Sequence, residues 1–247
     1  MENKPENEIE LFTAYSEKNF ERVIAICNEL LEELPDIDIL IFMKGESYLG
    51  LEDYKQAIAD FDKVLELSPN FSMAYFSRGN AYYKIGKYEK AVEDYSKAIQ
   101  VGYKNSALYN NRGLLYSELK QYEKALEDFN RAIEINPNDS AAYSNRAKIY
   151  MQWQKYDKAL EDFNKIIKIN PQMAAVYAGR AFIYGVLKDY QRAIDDLNRA
   201  ILLTPNSPLK AEFYYMRGGF YEDLGDEKNA RADLKKAKSL GYQERKF

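Results

Sequence analysis

The stretch YEKALEDFNRAI, Tyr122–Ile133, decides the fold. Its apolar residues are Tyr122, Ala125, Leu126, Phe129, Ala132 and Ile133. They are spaced three, one, three, three and one apart, which is one face of an α-helix and not the alternation of a strand. Thirty-four residues upstream the chain reads YEKAVEDYSKAI, Tyr88–Ile99. The same interval recovers FERVIAICNELL from Phe20, YKQAIADFDKVL from Tyr54, YDKALEDFNKII from Tyr156 and YQRAIDDLNRAI from Tyr190. The register breaks once: a weaker copy, EKNARADLKKAK from Glu227, is displaced by three residues, matching the extra Pro208, Leu209 and Lys210.

Ahead of each copy lies a second helical pattern, as in ALYNNRGLLYSEL, where Tyr109, Gly113, Tyr116 and Leu119 recur every three or four residues. Pro35, Pro69, Pro137, Pro171 and Pro205 close most units, because proline biases its predecessor away from the helical region and turns the chain toward the next unit. Each unit is therefore an antiparallel helix pair with one apolar face. It is too small to bury that face alone, and stacking on its neighbours is the remedy.

Composition bounds the chemistry. The 247 residues are 46% apolar, enough for a sizeable core. The acidic start MENKPENEIELFTAYSEK carries no apolar run of signal-peptide length, and no segment approaches the roughly 18 apolar residues of a membrane span. A soluble, cytoplasmic protein with no membrane insertion is expected. Cys27 is the only cysteine and there is no histidine, so an intramolecular disulfide, Cys/His zinc sites and Ser–His or Cys–His nucleophiles are excluded. No glycine loop of the phosphate-cradling kind appears, no metal or cofactor is expected, and a formal charge of −4 argues against nucleic acid. An enzyme is not expected.

When units are numbered from Asp38, Ser72, Ser106, Ser140, Ala174 and Ala211, the third reads Tyr109, Gly113, Tyr116, Tyr122, Ala125, Phe129, Ala132 and Pro137 at positions four, eight, eleven, seventeen, twenty, twenty-four, twenty-seven and thirty-two. This resembles the tetratricopeptide repeat. The second unit departs from it with Tyr103 for the proline, the fifth with Leu197, the first with Ile41 and Val64, and the last with Glu227 for the tyrosine. The resemblance implies an all-α fold, a right-handed superhelical solenoid of antiparallel helix pairs. Its units are 4–37 (degenerate), 38–71, 72–105, 106–139, 140–173, 174–207 and a capping unit at 211–244.

Of 22 tyrosines, 16 fall at positions four, eleven and seventeen, so the aromatic content reads as packing and not as a base-stacking platform. Trp153 stands where other units have Leu51, Ile85, Leu119, Leu187 and Leu224, and is expected in the core. Cys27 occupies a core-type position as well. Acid and base recur four apart on the second helices, as in Glu127 and Arg131, and read as solvated helix support. A base at position seven (Lys44, Arg78, Arg112, Arg146, Arg180, Arg217) accompanies an aspartate at twenty-three (Asp60, Asp94, Asp128, Asp162, Asp196, Asp233). A structural ion pair is expected, between the two helices of a unit or across units.

In the family the first helices line a concave groove through positions two, five, six, nine, twelve and thirteen. Here those positions vary while the packing positions repeat. They are apolar toward the N-terminal end, with Phe42, Met43, Met73 and Phe76, and amide-rich and basic in the middle, with Asn80, Asn110, Asn111, Asn145 and Lys148. Asn111 and Asn145 share position six and are either rungs that hold a peptide backbone or simply solvated amides. The clamp with which some family members hold a chaperone's C-terminal carboxylates is incomplete: Phe76, Ala141 and Asn145 stand where its cations belong. The expected function is a scaffold that binds a protein or peptide segment in the groove and assembles a complex. The alternative is a chaperone-like holder of an aggregation-prone client, using the patch around Phe42, Met43, Met73 and Phe76. Residues 1–38 carry 11 acids and 3 bases, net −8, and residues 227–247 carry 7 bases and 3 acids, net +4. These charges serve either weak head-to-tail self-association or the solubility of terminal caps.

Overall fold

The computed structural model describes residues 4–243. The charged residues counted above at 1–3 and 244–247, and residue 244 of the expected capping unit, lie outside the described residues. Among those described, fourteen α-helices and no strand are present. They are α1 (Lys4–Ser16), α2 (Phe20–Glu33), α3 (Asp38–Gly50), α4 (Tyr54–Leu67), α5 (Ser72–Lys84), α6 (Tyr88–Gln100), α7 (Ser106–Glu118), α8 (Tyr122–Ile135), α9 (Ser140–Gln152), α10 (Tyr156–Ile169), α11 (Ala174–Val186), α12 (Tyr190–Leu203), α13 (Leu209–Asp223) and α14 (Glu227–Ser239). Two compact units form, one up to Asp128 and one from Phe129. In the first, each helix from α1 to α7 packs on the next in the chain, and α3 also touches α5. In the second the same holds from α9 to α14.

The second helix of each repeat inserts its apolar stripe: α4 buries Ala57, Phe61, Val64 and Leu65, and α12 buries Ala193, Ile194, Leu197, Ala200 and Ile201. Small residues at position eight admit the large ones at twenty-four. A Cβ on Gly79 would stand 2.7 Å from the Tyr95 ring and one on Gly45 2.8 Å from Phe61. Tyr95, Phe61 and Phe129 are fully buried as a result. Cys27 is buried too, and burial pushes its thiol up to about 11, which leaves it protonated and inert at neutral pH.

The turn between the helices of a pair is the same in all seven repeats. Position fifteen is left-handed: Lys18, Glu52, Lys120, Gln154 and Lys188 have φ between 57 and 63°, with Gly86 and Gly225 in the other two. Its amide and the next close the first helix, as in Glu52 N–H to Leu49 O at 3.1 Å and Asp53 N–H to Tyr48 O at 2.9 Å. Trp153, at position fourteen, is not in the core. That position lies on the outside of this turn, where Leu51, Ile85, Leu187 and Leu224 are exposed. Trp153 is half-buried, with the Lys155 ammonium 4.5 Å from its ring centre.

Candidate functional site

The recurring base and acid form a clamp that ties units together. Arg78, Arg112, Arg146, Arg180 and Arg217 each grip their own unit's aspartate with two parallel hydrogen bonds, as in Arg112 Nε to Asp128 Oδ2 at 2.8 Å and Nη2 to Oδ1 at 2.7 Å. The remaining Nη1 reaches back to position twenty-five of the preceding repeat: Asp62, Ser96, Asn130, Asn164 and Asn198 respectively. Each guanidinium also lies 5.2–5.9 Å from the ring centres of the tyrosines at positions four and eleven. Burial weakens the proton affinity of Arg78, Arg112, Arg146 and Arg217, and the aspartate hydrogen bonds more than restore it, so they stay charged. Burial raises the Asp94, Asp128 and Asp162 carboxyls against the pull of their arginines. Every fork is filled from inside the array, and the clamps are structural.

The first helices of the first compact unit place the groove candidates differently from one another. Phe42 is 3% exposed, its ring 4.9 Å from Phe71 and 5.8 Å from Phe61, and Met43 is 7% exposed within the α1–α2 cluster of Leu11, Ala14, Val23, Ile26 and Cys27. The expected apolar patch thus loses two of its four members to the chain's own core: both side chains are long enough to curl into the seams beside α3. Met73 is exposed and Phe76 half-buried.

Phe76 carries a feature missed in the sequence. Where other units end in proline, two units end in Gly–Tyr. Gly102 (φ 98°) and Gly241 (φ 90°) let the chain reverse, and Tyr103 and Tyr242 return onto the aromatic at position five of their own unit. Tyr103 meets Phe76 at 5.2 Å and Tyr242 meets Tyr215 at 4.2 Å between ring centres. The glycine at position thirty-one was the available signal.

Asn80 and Asn111 do come together. Asn80 Oδ1 accepts from the buried Tyr95 hydroxyl at 2.7 Å and from Asn111 Nδ2 at 3.3 Å, joining α5, α6 and α7. Asn110 is half-buried on α7. In the second compact unit, α9 holds Asn145 half-buried and Lys148 exposed. Glu46, at position nine of α3, also lies on the first-helix face, and its Oε1 is buried without a hydrogen bond. The groove positions used for the other candidates would have found it.

Comparison with known proteins agrees with this geometry. The tetratricopeptide repeat profile matches residues 72–101, 106–139 and 140–173, a TPR repeat profile matches 45–86, and a further tetratricopeptide repeat profile matches 174–207 and 211–240. No curated protein matches the chain. Among solved structures, YrrB, described as a TPR protein with an unusual peptide-binding site, is similar at TM-score 0.65 and 25% identity, over 75% of this chain and 96% of that one. The C-terminal part of a TPR repeat-containing protein from Cytophaga hutchinsonii is similar at TM-score 0.79 and 17% identity over 94% of each chain. The Pseudomonas aeruginosa pilF protein is similar at TM-score 0.68 and 21% identity, over 83% and 91%. At those identities the last two show a shared fold and nothing more. Helix pairs at a recurring interval, an arginine clamp in five repeats and matching profiles over most of the length establish that this chain belongs to the tetratricopeptide repeat family.

Proposed function

We propose that the first-helix face binds an extended segment of another protein and that the chain acts as a non-catalytic scaffold in a complex. The observation that carries this is the amide pair Asn80–Asn111. Fixed through Tyr95, it sets two amides side by side on a face whose side chains differ from unit to unit. Such a pair matches the alternating donors and acceptors of a peptide backbone. The peptide-binding site named for YrrB supports the same reading. Burial of Phe42 and Met43 removes half of the patch on which a chaperone-like holder would draw, so the scaffold is preferred. Weak head-to-tail self-association belongs to the same proposal, resting on the opposite charges of the terminal segments.

The test is capture from a cell extract by the wild-type chain and by the double variant Asn111→Ala, Asn145→Ala. Loss of captured proteins is expected, with a stability cost of about 1 kcal/mol for the Asn80–Asn111 bond. Identical captured sets would remove the face from the reading.

A further inference from the structure

Glu46 occupies the place on α3 that Asn80 holds on α5, and it is the one carboxylate among the described residues on that face with a buried, unpaired oxygen. Burial raises the Glu46 carboxyl, the buried Ser77 at position six of the next repeat partly opposes this, and no lysine or arginine among the described residues forms a salt bridge with it. Two phenol rings stand beside it. Burial first, and then the charge of Glu46, raises the Tyr15 and Tyr103 hydroxyls, and Tyr103 is held in place by its tilted contact with the Phe76 ring. A cleft of about 330 Å³ opens next to the carboxyl, lined by Tyr15, Lys18, Phe20, Leu49 and Gly50.

We propose that this cleft is the subsite for a lysine side chain of the bound segment, its ammonium on the Glu46 carboxylate beside the Tyr15 and Tyr103 rings. The proposal rests on the reading of the first-helix face as a binding surface. A carboxylate next to aromatic rings calls for a cation, which gains from the charge and from the ring faces together. Lysine fits better than arginine because a single carboxyl oxygen, Oε1, is buried without a partner. One oxygen is left for a point charge, whereas a guanidinium fork needs two. Oε1 is shielded from water, and the broad terminal torsion of a glutamate lets it turn toward an incoming donor. The methylenes of a lysine would lie along Leu49 and Phe20. Lys18 lines the same cleft and competes with the incoming ammonium. The acidic N-terminal segment, net −8 over residues 1–38, favours a basic ligand over an acidic one.

The experiment uses the full chain and three pools of short acetylated, amidated peptides, random except for one central residue fixed as lysine, arginine or norleucine. The wild type is expected to retain the lysine pool about fivefold over norleucine, with arginine between them. Glu46→Gln, which keeps the volume, should abolish the preference, and Lys18→Ala should increase it. Tyr103→Leu, outside any helix, should reduce it and guards against a fold defect in the first variant, with circular dichroism confirming each fold. Equal retention of lysine and norleucine by the wild type, or an unchanged preference in Glu46→Gln, overturns the subsite and leaves the binding face standing. Retention of no pool overturns both.

Discussion

At Asp60 one carboxylate oxygen, Oδ2, is buried with no partner, and the residue opposite explains it. The first full repeat has Lys44 where five others have arginine, and a single ammonium 3.2 Å from Oδ1 cannot serve both oxygens. Burial accordingly raises the Asp60 carboxyl, and Lys44 only partly opposes it. Lys44→Arg would supply the second bond to Asp60 and put Nη1 within reach of Asn28, the position-twenty-five residue of the preceding repeat. Stability should rise by about 1–2 kcal/mol, read as a higher urea midpoint at unchanged slope. No change would mean that the fork is not formed there. The pairing of positions seven and twenty-three was legible because both recur in the sequence. The third contact was not, since Asp, Ser and Asn at position twenty-five share an oxygen and not an identity. Of the two alternatives left open by the sequence, the ion pair to position twenty-three forms within the unit, and the bond across units is a different one, to position twenty-five. Burial of Phe42 and Met43 was illegible for another reason: periodicity fixes the side of a helix but not whether a long side chain curls into a seam.

The succession of helix pairs was the most legible layer, because proline, the small residue at position eight and the aromatic stripe all point the same way. Capping is uneven, however. Asn19, Asp53, Asp189 and Asp226 accept from an amide in the first turn of their second helix, whereas Lys87 and Lys155 at the same position accept nothing. Lys87 already has the backbone of a cap, φ −89° and ψ 67° against −82° and 74° at Asp53. Lys87→Asp should therefore add about 1 kcal/mol to stability by capping α6 without moving the chain. Thermal unfolding of the single variant checks this, and a fall in midpoint would show that the Asp53 geometry does not transfer. The Gly–Tyr endings escaped notice because a missing proline reads as a weakened stop, when the left-handed glycine is a stop of a different kind.

Over the whole chain the charge runs from net −8 in residues 1–38 to net +4 in residues 227–247. The clamp register makes the proposed contact between copies specific: position seven of the first repeat is Glu10, and position twenty-five of the last is Lys235. A second copy stacked in the interior register would set those opposite charges together. Light scattering is expected to show mass rising with concentration at low salt and returning to the monomer value at high salt, since exposed charges are screened beyond about 10 Å at 0.1 M. Reversing Lys235, Lys236 and Lys238 to Glu should abolish the rise. A monomeric mass at both salts would leave the charges a capping role alone. Within the chain, every repeat from Asn28 to Asn198 offers an oxygen at position twenty-five, and only the last offers an ammonium. Unequal recombination between interior repeats therefore yields chains one repeat longer or shorter in which each arginine still finds its oxygen. The three extra residues before α13 show how forgiving the junction is, for Arg217 bridges 19 residues to Asn198 where the others bridge 16. A repeat appended beyond the last would bring its arginine against Lys235. Length is thus free to drift in the middle, so relatives of different length should share the repeat that carries Lys235 and differ in the number that precede it.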